Sequence, residues 1–227
     1  MPSEDLTGKN VVITGANRGI GLELTRQYRG RGAMVHGLCR CASRELEASG
    51  ARVIEGIEVT SAASMVKLQE RMQGVDVDIL INNAGLLENE SLSAMNFDTI
   101  ERQFQINAMG PLRIAIALLP HLVNGSKIGL ITSRMGSIAD NDSGGRYGYR
   151  MSKAALNAAG VSLAKDLQAN GVAVALLHPG YVQTEMVGFG GDISPELAAQ
   201  RLMIRMDELT LENSGTFWHS SGAVLPW

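Results

Sequence analysis

The sequence predicts an α/β protein whose sheet of seven mostly parallel strands is covered by helices on both faces. Short apolar segments alternate with longer segments of helical pattern along the chain. The apolar segments are continuous rather than interrupted by polar residues, which is typical of strands buried on both faces of a parallel sheet. Because no repeat, linker or low-complexity segment interrupts the alternation, we expect residues 1–227 to form one domain.

The first half of the chain is predicted to contain four strands and three helices. The strands are the apolar segments at 9–14, 33–38, 52–57 and 77–81. Helical patterns follow the first three strands at 20–29, 43–49 and 61–72. Ser61 stands where a hydroxyl can cap the third helix.

The second half is predicted to contain longer helices and the remaining strands. Helices are expected at 96–123, 147–169 and 196–209, and strands at 127–132, 172–177 and, at a sheet edge, 216–218. Asn170-Gly171 is a typical helix stop. Ser194 and Pro195 suit the N-cap and the first position of the last helix.

The composition is that of an ordinary globular protein. The chain has 227 residues, 45% hydrophobic and 19% charged, with a net charge of -3. This balance argues against nucleic acid as a partner, because phosphate binding requires a concentrated basic face. The apolar run at 114–119 stops at Pro120 and is too short to span a bilayer, so no membrane partner is expected.

The cysteines and the N-terminus favour a cytoplasmic protein. Cys39 and Cys41 are too close together to form a framework disulfide, and they fit a reducing compartment. Residues 1–10 are polar and lack the apolar core of a signal peptide. His, Cys and acidic residues show no metal-ligand spacing, so we expect no metal.

A glycine-rich turn follows the first predicted strand. It reads Thr-Gly-Ala-Asn-Arg-Gly-Ile-Gly at 14–21 and opens the first helix. Glycines let backbone N–H groups approach a pyrophosphate, and a helix N-terminus supplies positive potential. The sequence therefore predicts nucleotide binding at this turn, although a glycine-rich turn without a ligand is the plainer interpretation.

The end of the second strand indicates which nucleotide binds. An NAD site of this kind carries an acid there, whereas this chain has Arg40. Arg18 in the glycine turn is a second cation. With no competing carboxylate, the two arginines favour NADP, because a guanidinium can bind the 2′-phosphate bidentately. The alternative is that both are solvated surface charges.

Tyr149 and Lys153 are four residues apart on a predicted helix and therefore share one face. A nearby cation favours the phenolate and lowers the pKa of the tyrosine, which suits proton transfer. Tyr147 has Met151 at the same spacing, which cannot supply a cation. An ordinary pair on a helix surface is the alternative.

Two further motifs carry amides. Asn82-Asn83-Ala84-Gly85 closes the fourth strand, where the amides can join adjacent loops and Gly85 lets the backbone pass close to a cofactor. Asn107 precedes Pro111 by four residues, so its carbonyl lacks a helical partner and can hold a water. A polar residue beside a kink is the alternative.

Together these motifs resemble those of the short-chain dehydrogenase/reductase family: Thr-Gly-x-x-x-Gly-x-Gly, Asn-Asn-Ala-Gly, Tyr-x-x-x-Lys and, at 179–184, Pro-Gly-x-Val-x-Thr. The resemblance covers about residues 9–186. The segment 133–138 and the terminal Leu-Pro-Trp resemble the C-factor/sniffer-like carbonyl reductase branch. The resemblance implies a Rossmann-type, doubly wound fold that binds NADP(H).

The resemblance also implies catalytic roles. Ser133, the second of two hydroxyl residues after the fifth strand, and Tyr149 would bind a carbonyl oxygen, and Tyr149 would supply the proton. Lys153 would lower the pKa of Tyr149 and bind the nicotinamide ribose, and Asn107 would connect a water chain to Lys153. Ser137 is a rival to Ser133, which is preferred because it follows the strand directly.

At the cofactor, the resemblance implies that Thr184 and the Val182 backbone contact the carboxamide. Glu58 stands where the family more often has Asp near the adenine. The residues expected to bind the cofactor are Gly15, Asn17, Arg18, Gly19, Ile20, Gly21, Arg40, Glu58, Val59, Asn83, Ala84, Gly85, Tyr149, Lys153, Pro179, Gly180, Val182 and Thr184.

The expected activity is reversible, NADPH-dependent reduction of a ketone or aldehyde to an alcohol. The segment 185–192, with Met186 and Phe189, is expected to form a mobile, mostly apolar lid. Leu86, Leu87 and Met135 could add apolar walls, so a substrate with a hydrophobic body is expected. All of these residues could equally belong to the core.

Two other functions compete with this interpretation. One is a nucleotide-binding signalling or sensor protein without relevant turnover. The other is a sugar-nucleotide epimerase or dehydratase, for which the chain is short of a substrate lobe. By resemblance, the helices at 96–123 and 147–170 are expected to pair between subunits of a homodimer or homotetramer.

Overall fold

The computed structural model describes residues 5–227 and contains one sheet of seven strands in the order β3-β2-β1-β4-β5-β6-β7. All six pairings between neighbouring strands are parallel. The strands are β1 Asn10–Thr14, β2 Met34–Leu38, β3 Arg52–Ile54, β4 Val77–Asn82, β5 Leu122–Ile131, β6 Ala173–His178 and β7 Phe217–His219. The predicted α/β class is confirmed.

Seven α-helices connect and cover these strands. They are α1 Gly19–Gly30, α2 Arg44–Glu47, α3 Ala62–Arg71, α4 Phe97–Phe104, α5 Gly110–Leu118, α6 Tyr147–Leu167 and α7 Pro195–Asp207. A π-helical turn, Gln105–Met109, joins α4 to α5 without interrupting the rod. None of the helices within residues 5–227 has the length and apolar character that crossing a membrane requires.

The sheet separates two hydrophobic cores. In β1, Val11 and Ile13 point into the core shared with α1 and α7, whereas Val12 points into the opposite core with α3 and α5. Both faces are covered, so each strand residue meets apolar neighbours. This explains why the strands are continuously apolar in sequence.

The helix starts follow the predicted caps. The Ser61 hydroxyl accepts a hydrogen bond from the Ser64 N–H at the start of α3. The Ser194 hydroxyl accepts one from the Leu197 N–H, and Pro195 is the first residue of α7. These two predictions are confirmed.

The predicted long helix at 96–123 is wrong at its C-terminal end. The α-helix ends at Leu118, and β5 begins at Leu122, five residues before the predicted strand start at position 127. Pro120 lacks the N–H needed to continue the helix, and Leu122 pairs with Val77 of β4. Pairing with a strand that is distant in sequence therefore determines the secondary structure of a segment whose local pattern is ambiguous.

The third strand is shorter than predicted because it ends at Ile54 rather than at position 57. Gly56 has a φ of +75°, which turns the chain out of the sheet. The Ile57 N–H then donates to the Cys39 carbonyl at 3.0 Å. This turn brings residues 58 and 59 over the carboxyl end of β2.

The outer side of β7 is covered by the last residues of the chain. The His219 N–H donates to the Ala223 carbonyl at 2.8 Å, and the Leu225 N–H donates to the Phe217 carbonyl at 2.8 Å. The Trp227 ring stacks on Phe217 with centroids 5.5 Å apart. β7 is thus an edge strand whose free edge is already hydrogen-bonded.

Candidate active site

A cavity of about 870 Å³ lies at the carboxyl ends of the strands, where the order reverses between β1 and β4. This switch point is where open parallel sheets bind their ligands. The predicted cofactor residues that line the cavity are Gly15, Asn17, Arg18, Gly19, Ile20, Arg40, Glu58, Val59, Asn83, Ala84, Gly85, Tyr149, Lys153, Pro179 and Thr184.

The glycine turn fits closely against the loop after β4. Gly15 and Gly19 have φ values of +64° and +53°, which side chains rarely tolerate. A Cβ on Gly21 would lie 2.2 Å from the Gly15 carbonyl oxygen. Gly21 does not line the cavity, so its role is to let α1 start directly behind the turn.

Asn83 joins these two loops, as its motif predicted. Its side-chain Nδ2 donates to the Thr14 and Gly15 carbonyls at 3.1 and 3.2 Å. The Thr14 hydroxyl in turn accepts the Asn83 and Ala84 N–H groups, both at 3.0 Å. Asn82 does not contribute in this way, because its buried amide has no hydrogen-bond partner among residues 5–227.

The expectation that no carboxylate competes at the two cofactor arginines is wrong. Arg40 lies 3.8 Å from a carboxylate oxygen of Glu58, measured from Nη1 to Oε2. Arg18 forms an ion pair with Glu185. Both acids are distant in sequence from the arginines, and the fold brings them together. A 2′-phosphate would have to compete with these exposed carboxylates.

Tyr149 and Lys153 line the cavity, and Ser133 neighbours Tyr149. The Ser133 hydroxyl is near enough to Tyr149 to lower the pKa of the phenol by hydrogen bonding to it. The Lys153 Nζ lies 5.7 Å from the centroid of the Tyr149 ring and donates to the Ile131 carbonyl at 2.8 Å. The helical register of α6 places the tyrosine and the lysine on the same face, as predicted.

Burial dominates the titration of this pair. It raises the pKa of Tyr149 to about 12, against the opposing effects of the Ser133 hydrogen bond and the Arg146 charge. It also lowers the pKa of Lys153 to about 7. The net shift of the Tyr149 pKa is therefore upward, because desolvation penalises the phenolate, and the lowering expected from Lys153 stays a prediction.

Asn107 lies in the π-helical turn, which is the irregularity that Pro111 predicted. Its Nδ2 donates to the Leu86 carbonyl at 2.7 Å and to the Ser152 hydroxyl at 3.0 Å. Its Oδ1 accepts the Leu86 N–H at 2.7 Å. The side chain thus fixes the loop after β4 against α6, beside Lys153.

The rival residues are placed elsewhere. Ser137 is buried, and its hydroxyl accepts the Asp140 N–H at 3.1 Å. Tyr147 does not line the cavity. Of the other predicted site residues, Ser133, Asn107, Gly180 and Val182 also do not line the cavity. Val182 is buried and forms a β-bridge to Ile193, which anchors the turn before Thr184.

Part of the predicted apolar wall lines the cavity. Leu86, Met186 and Phe189 do so, whereas Leu87 and Met135 are not part of the lining. The segment after Thr184 starts with a 3₁₀ turn, Glu185–Val187. Its far end is held by the Asp192 N–H, which donates to the Tyr181 carbonyl at 2.7 Å.

Sequence reasoning missed several residues of the site. Thr14 lies in the glycine motif, but the motif does not indicate that its hydroxyl accepts the Asn83 and Ala84 N–H groups. Arg102 and Glu185 line the cavity, and only the fold brings them there. Glu90 lies beneath the first turn of α6, where its carboxylate accepts the Gly148 N–H at 3.1 Å. A buried acid in a polar loop has no local sequence signal.

Comparisons with known proteins agree with this architecture. The short chain dehydrogenase family model matches residues 9–191. The 1-hydroxy-2-glutathionyl-2-methyl-3-butene dehydrogenase of Rhodococcus sp. (strain AD45) is 42% identical over 223 residues, covering 96% of this chain and 99% of the relative. C-signal of Myxococcus xanthus is 44% identical over 154 residues, covering 66% and 93%.

Solved structures of carbonyl reductases are also similar. The NADPH-bound carbonyl reductase from chicken fatty liver has a TM-score of 0.87 and 26% identity, covering 98% of this chain and 100% of that chain. The carbonyl reductase Sniffer of D. melanogaster has a TM-score of 0.88 and 27% identity, covering 97% and 100%. The chain therefore belongs to the short-chain dehydrogenase family, in the branch that contains C-signal and the Sniffer-type carbonyl reductases.

Proposed function

We propose that the protein is an NADP-dependent oxidoreductase that reversibly reduces a ketone or aldehyde to an alcohol. The observation that carries the proposal is that Tyr149 and Lys153 line the cavity from one face of α6, with the Ser133 hydroxyl beside Tyr149. The NADPH-bound chicken carbonyl reductase and the Rhodococcus 1-hydroxy-2-glutathionyl-2-methyl-3-butene dehydrogenase, both similar to this chain, support the same chemistry.

The site fits a dinucleotide cofactor. Gly15 and Gly19 bring bare backbone to the cavity, and the N-terminus of α1 adds positive potential for phosphates. Arg40 and Arg18 would bind the 2′-phosphate, and Pro179 and Thr184 line the cavity on the turn that also contains Gly180 and Val182. When bound, the cofactor supplies or accepts a hydride at the carbon of the substrate carbonyl.

The chain's own groups handle the oxygen and its proton. In the proposed mechanism, Ser133 and Tyr149 hold the carbonyl oxygen, and Tyr149 gives its proton to the alkoxide as it forms. Burial keeps Tyr149 protonated until then, with its pKa raised to about 12. With a pKa of about 7, Lys153 is still protonated in part at neutral pH, and its protonated form is the cation that faces the resulting phenolate. Asn107 holds the surroundings of Lys153 in place through Leu86 and Ser152.

Replacement of Tyr149 tests the proposal. Tyr149→Phe removes the proton donor and keeps the ring, so we expect kcat for NADPH-dependent ketone reduction to fall about 10²-fold or more. The Tyr149→Phe variant should still bind NADPH, as measured by fluorescence. The matched control is Tyr147→Phe, two residues earlier, which should retain activity. Full turnover by Tyr149→Phe would contradict the mechanism.

Cofactor preference tests the arginines. We expect Arg40→Ala to weaken NADPH binding about tenfold or more relative to NADH, because it removes a charge-assisted contact to the 2′-phosphate. Glu58→Gln removes the competing carboxylate and should instead tighten NADPH binding. Both are measured as dissociation constants for NADPH and NADH. An unchanged NADPH/NADH ratio in Arg40→Ala would rule out this role.

A second candidate is a signalling protein that binds the nucleotide without relevant turnover. The similarity to C-signal favours it. A full set of Ser133, Tyr149, Lys153 and Asn107 argues against it, since a site without turnover has no need of all four. Screening hydrophobic ketones and aldehydes for oxidation of NADPH separates the two functions.

We further propose that the protein is a cytoplasmic homodimer or homotetramer and that its substrate has an apolar body. The apolar side chains of Leu86, Met186 and Phe189 in the cavity wall support such a substrate.

A further inference from the structure

Glu90 is a buried acid with no role in the mechanism described above. Only 4% of its surface is exposed, and its carboxylate accepts three hydrogen bonds. The donors are the Gln103 Nε2 at 2.6 Å, the Thr99 hydroxyl at 2.7 Å and the Gly148 N–H at 3.1 Å. Burying a carboxylate is costly, and these donors offset that cost.

The carboxylate acts at the N-terminus of the helix that carries Tyr149. The first N–H groups of a helix lack partners within it, and a cap normally satisfies one of them. At α6 the preceding residue is Arg146, in a left-handed conformation with φ +50° and ψ +47°, and its side chain makes no capping hydrogen bond to the described residues. Glu90 takes the place of the cap from another loop.

The side chain and the backbone of Glu90 both hydrogen-bond to the first turn of α6. Its carboxylate accepts the Gly148 N–H, and its backbone carbonyl accepts the Arg146 N–H at 2.9 Å. The negative charge also complements the positive end of the α6 dipole. Tyr149 is the next residue after Gly148, so its backbone is attached to a turn that Glu90 fixes from below.

The fit at Gly148 leaves little freedom. A Cβ on Gly148 would lie 2.4 Å from the Gln103 Nε2, 2.9 Å from the Ile100 Cα and 3.1 Å from a Glu90 carboxylate oxygen. The first turn of α6 therefore rests directly on α4 and on Glu90. A change in this contact would displace Tyr149 relative to Ser133, which is attached to β5.

We propose that Glu90 is a positioning residue for Tyr149: together with Gln103 it sets the height and rotation of the first turn of α6, and so the place of the phenol beside Ser133. The inference rests on the proposed function, because it assigns Glu90 an effect on the same proton donor. It adds a second support to the site, separate from Asn107: Glu90 holds the first turn of α6 at Gly148, whereas Asn107 holds the next turn at Ser152.

Three variants test the hydrogen bond itself. In Glu90→Gln, the new amide faces only donors, so one N–H must oppose Gly148 or Gln103. In Gln103→Glu, two carboxylates face each other. We expect kcat to fall about tenfold or more in each, with the KM for NADPH within about twofold of wild type, because small displacements of a reacting group are costly. The double variant Glu90→Gln/Gln103→Glu restores one charge and one donor and should recover most of the kcat.

A control separates positioning from stability. Thr99→Val removes a hydrogen bond to the same carboxylate and leaves Gly148 bonded. It should lower the urea midpoint while keeping the wild-type kcat. If Glu90→Gln does not fold, Gln103→Glu disturbs the same contact and carries the same expectation.

A measurement without turnover keeps this inference separable from the proposed function. With 3-fluorotyrosine incorporated, the ¹⁹F resonance of Tyr149 is assigned by its loss in Tyr149→Phe. We expect it to shift in Glu90→Gln and to return in the double variant. If wild type reduces no carbonyl, the proposed function fails, yet this resonance still reports the position of the phenol. Wild-type kcat and an unmoved resonance in Glu90→Gln and Gln103→Glu would overturn the inference.

Discussion

Burial favours the neutral form of both Tyr149 and Lys153. The sequence placed the two residues on one helix face, and register alone separated Tyr149 from Tyr147. It did not predict the direction of the tyrosine's pKa shift, since that depends on how much of the fold closes over the side chain. Local spacing thus identified the pair, and the packing of distant elements sets its chemistry.

Because burial lowers the pKa of Lys153, the free energy of unfolding depends on pH. The unfolded chain holds the Lys153 proton up to a pKa of 10.5, whereas the folded protein releases it near 7. The unfolded state therefore binds more protons between these values, and the free energy of unfolding rises with pH. Relative to Lys153→Met, we expect wild type to gain about 2 kcal/mol from pH 7 to pH 9 in urea denaturation.

The matched control for this pH dependence is Lys165→Met, which changes an exposed lysine of the same helix. It should retain the wild-type rise. Below pH 6 the difference between wild type and Lys153→Met should level off, because Lys153 is then charged in both the folded and unfolded states. A wild-type curve parallel to that of Lys153→Met across pH 7–9 would refute the assignment.

Among the secondary-structure elements, the turn after β5 is tightly fitted to α6, the helix that carries Tyr149 and Lys153. Gly136 ends the 3₁₀ turn Arg134–Gly136, and a Cβ there would lie 2.7 Å from the backbone carbonyl carbon of Lys153. We expect Gly136→Ala to push α6 away and to cost about 1–3 kcal/mol of unfolding free energy. Gly30→Ala, at the open end of α1 with nothing within 4 Å, should be neutral or stabilising by up to about 1 kcal/mol.

Urea midpoints measure the stability of both glycine variants, and equal midpoints would show that the turn after β5 can move to accommodate a Cβ.

The elements that the sequence predicted best are those with local signals, such as the caps at Ser61 and Ser194. Pro111 signalled an irregular helix, but the choice of a π-helical turn depends on the contacts of Asn107 with Leu86 and Ser152. The start of β5 at Leu122 depended on its partner Val77 and could not be predicted from its own residues.

For the whole molecule, the order of the strands determines which charges meet. Seven strands and a parallel sheet followed from the alternation of segments, yet the pairs Arg40–Glu58 and Arg18–Glu185 follow from topology. Nothing in the spacing of these residues signals the pairs. The preference for NADP inferred from Arg40 and Arg18 therefore depends on how well a 2′-phosphate competes with Glu58 and Glu185 for these arginines. The positions of the two carboxylates follow from the fold.

The predicted homo-oligomer has a specific test at this scale. Phe97 on α4 and Ile116 on α5 are 77% and 59% exposed, large apolar side chains on the helices expected to pair between subunits. We expect Ile116→Glu to reduce the mass measured by light scattering toward that of a monomer, because a charge opposes burial at an interface. Val66→Glu, at a 56% exposed site on α3, should leave the mass unchanged. A wild-type mass in Ile116→Glu would exclude this surface.

The covered edge of β7 has a consequence for aggregation. An open sheet offers backbone donors and acceptors at both margins, where a strand from another molecule can add. Here residues 223–225 already occupy the hydrogen-bonding groups of Phe217 and His219. The opposite margin, β3, is only three residues long and begins with Arg52. The sheet therefore resists edge-to-edge association with other molecules. At β7 the edge is already paired with residues of the same chain, and at β3 the edge strand is short and begins with a charged residue.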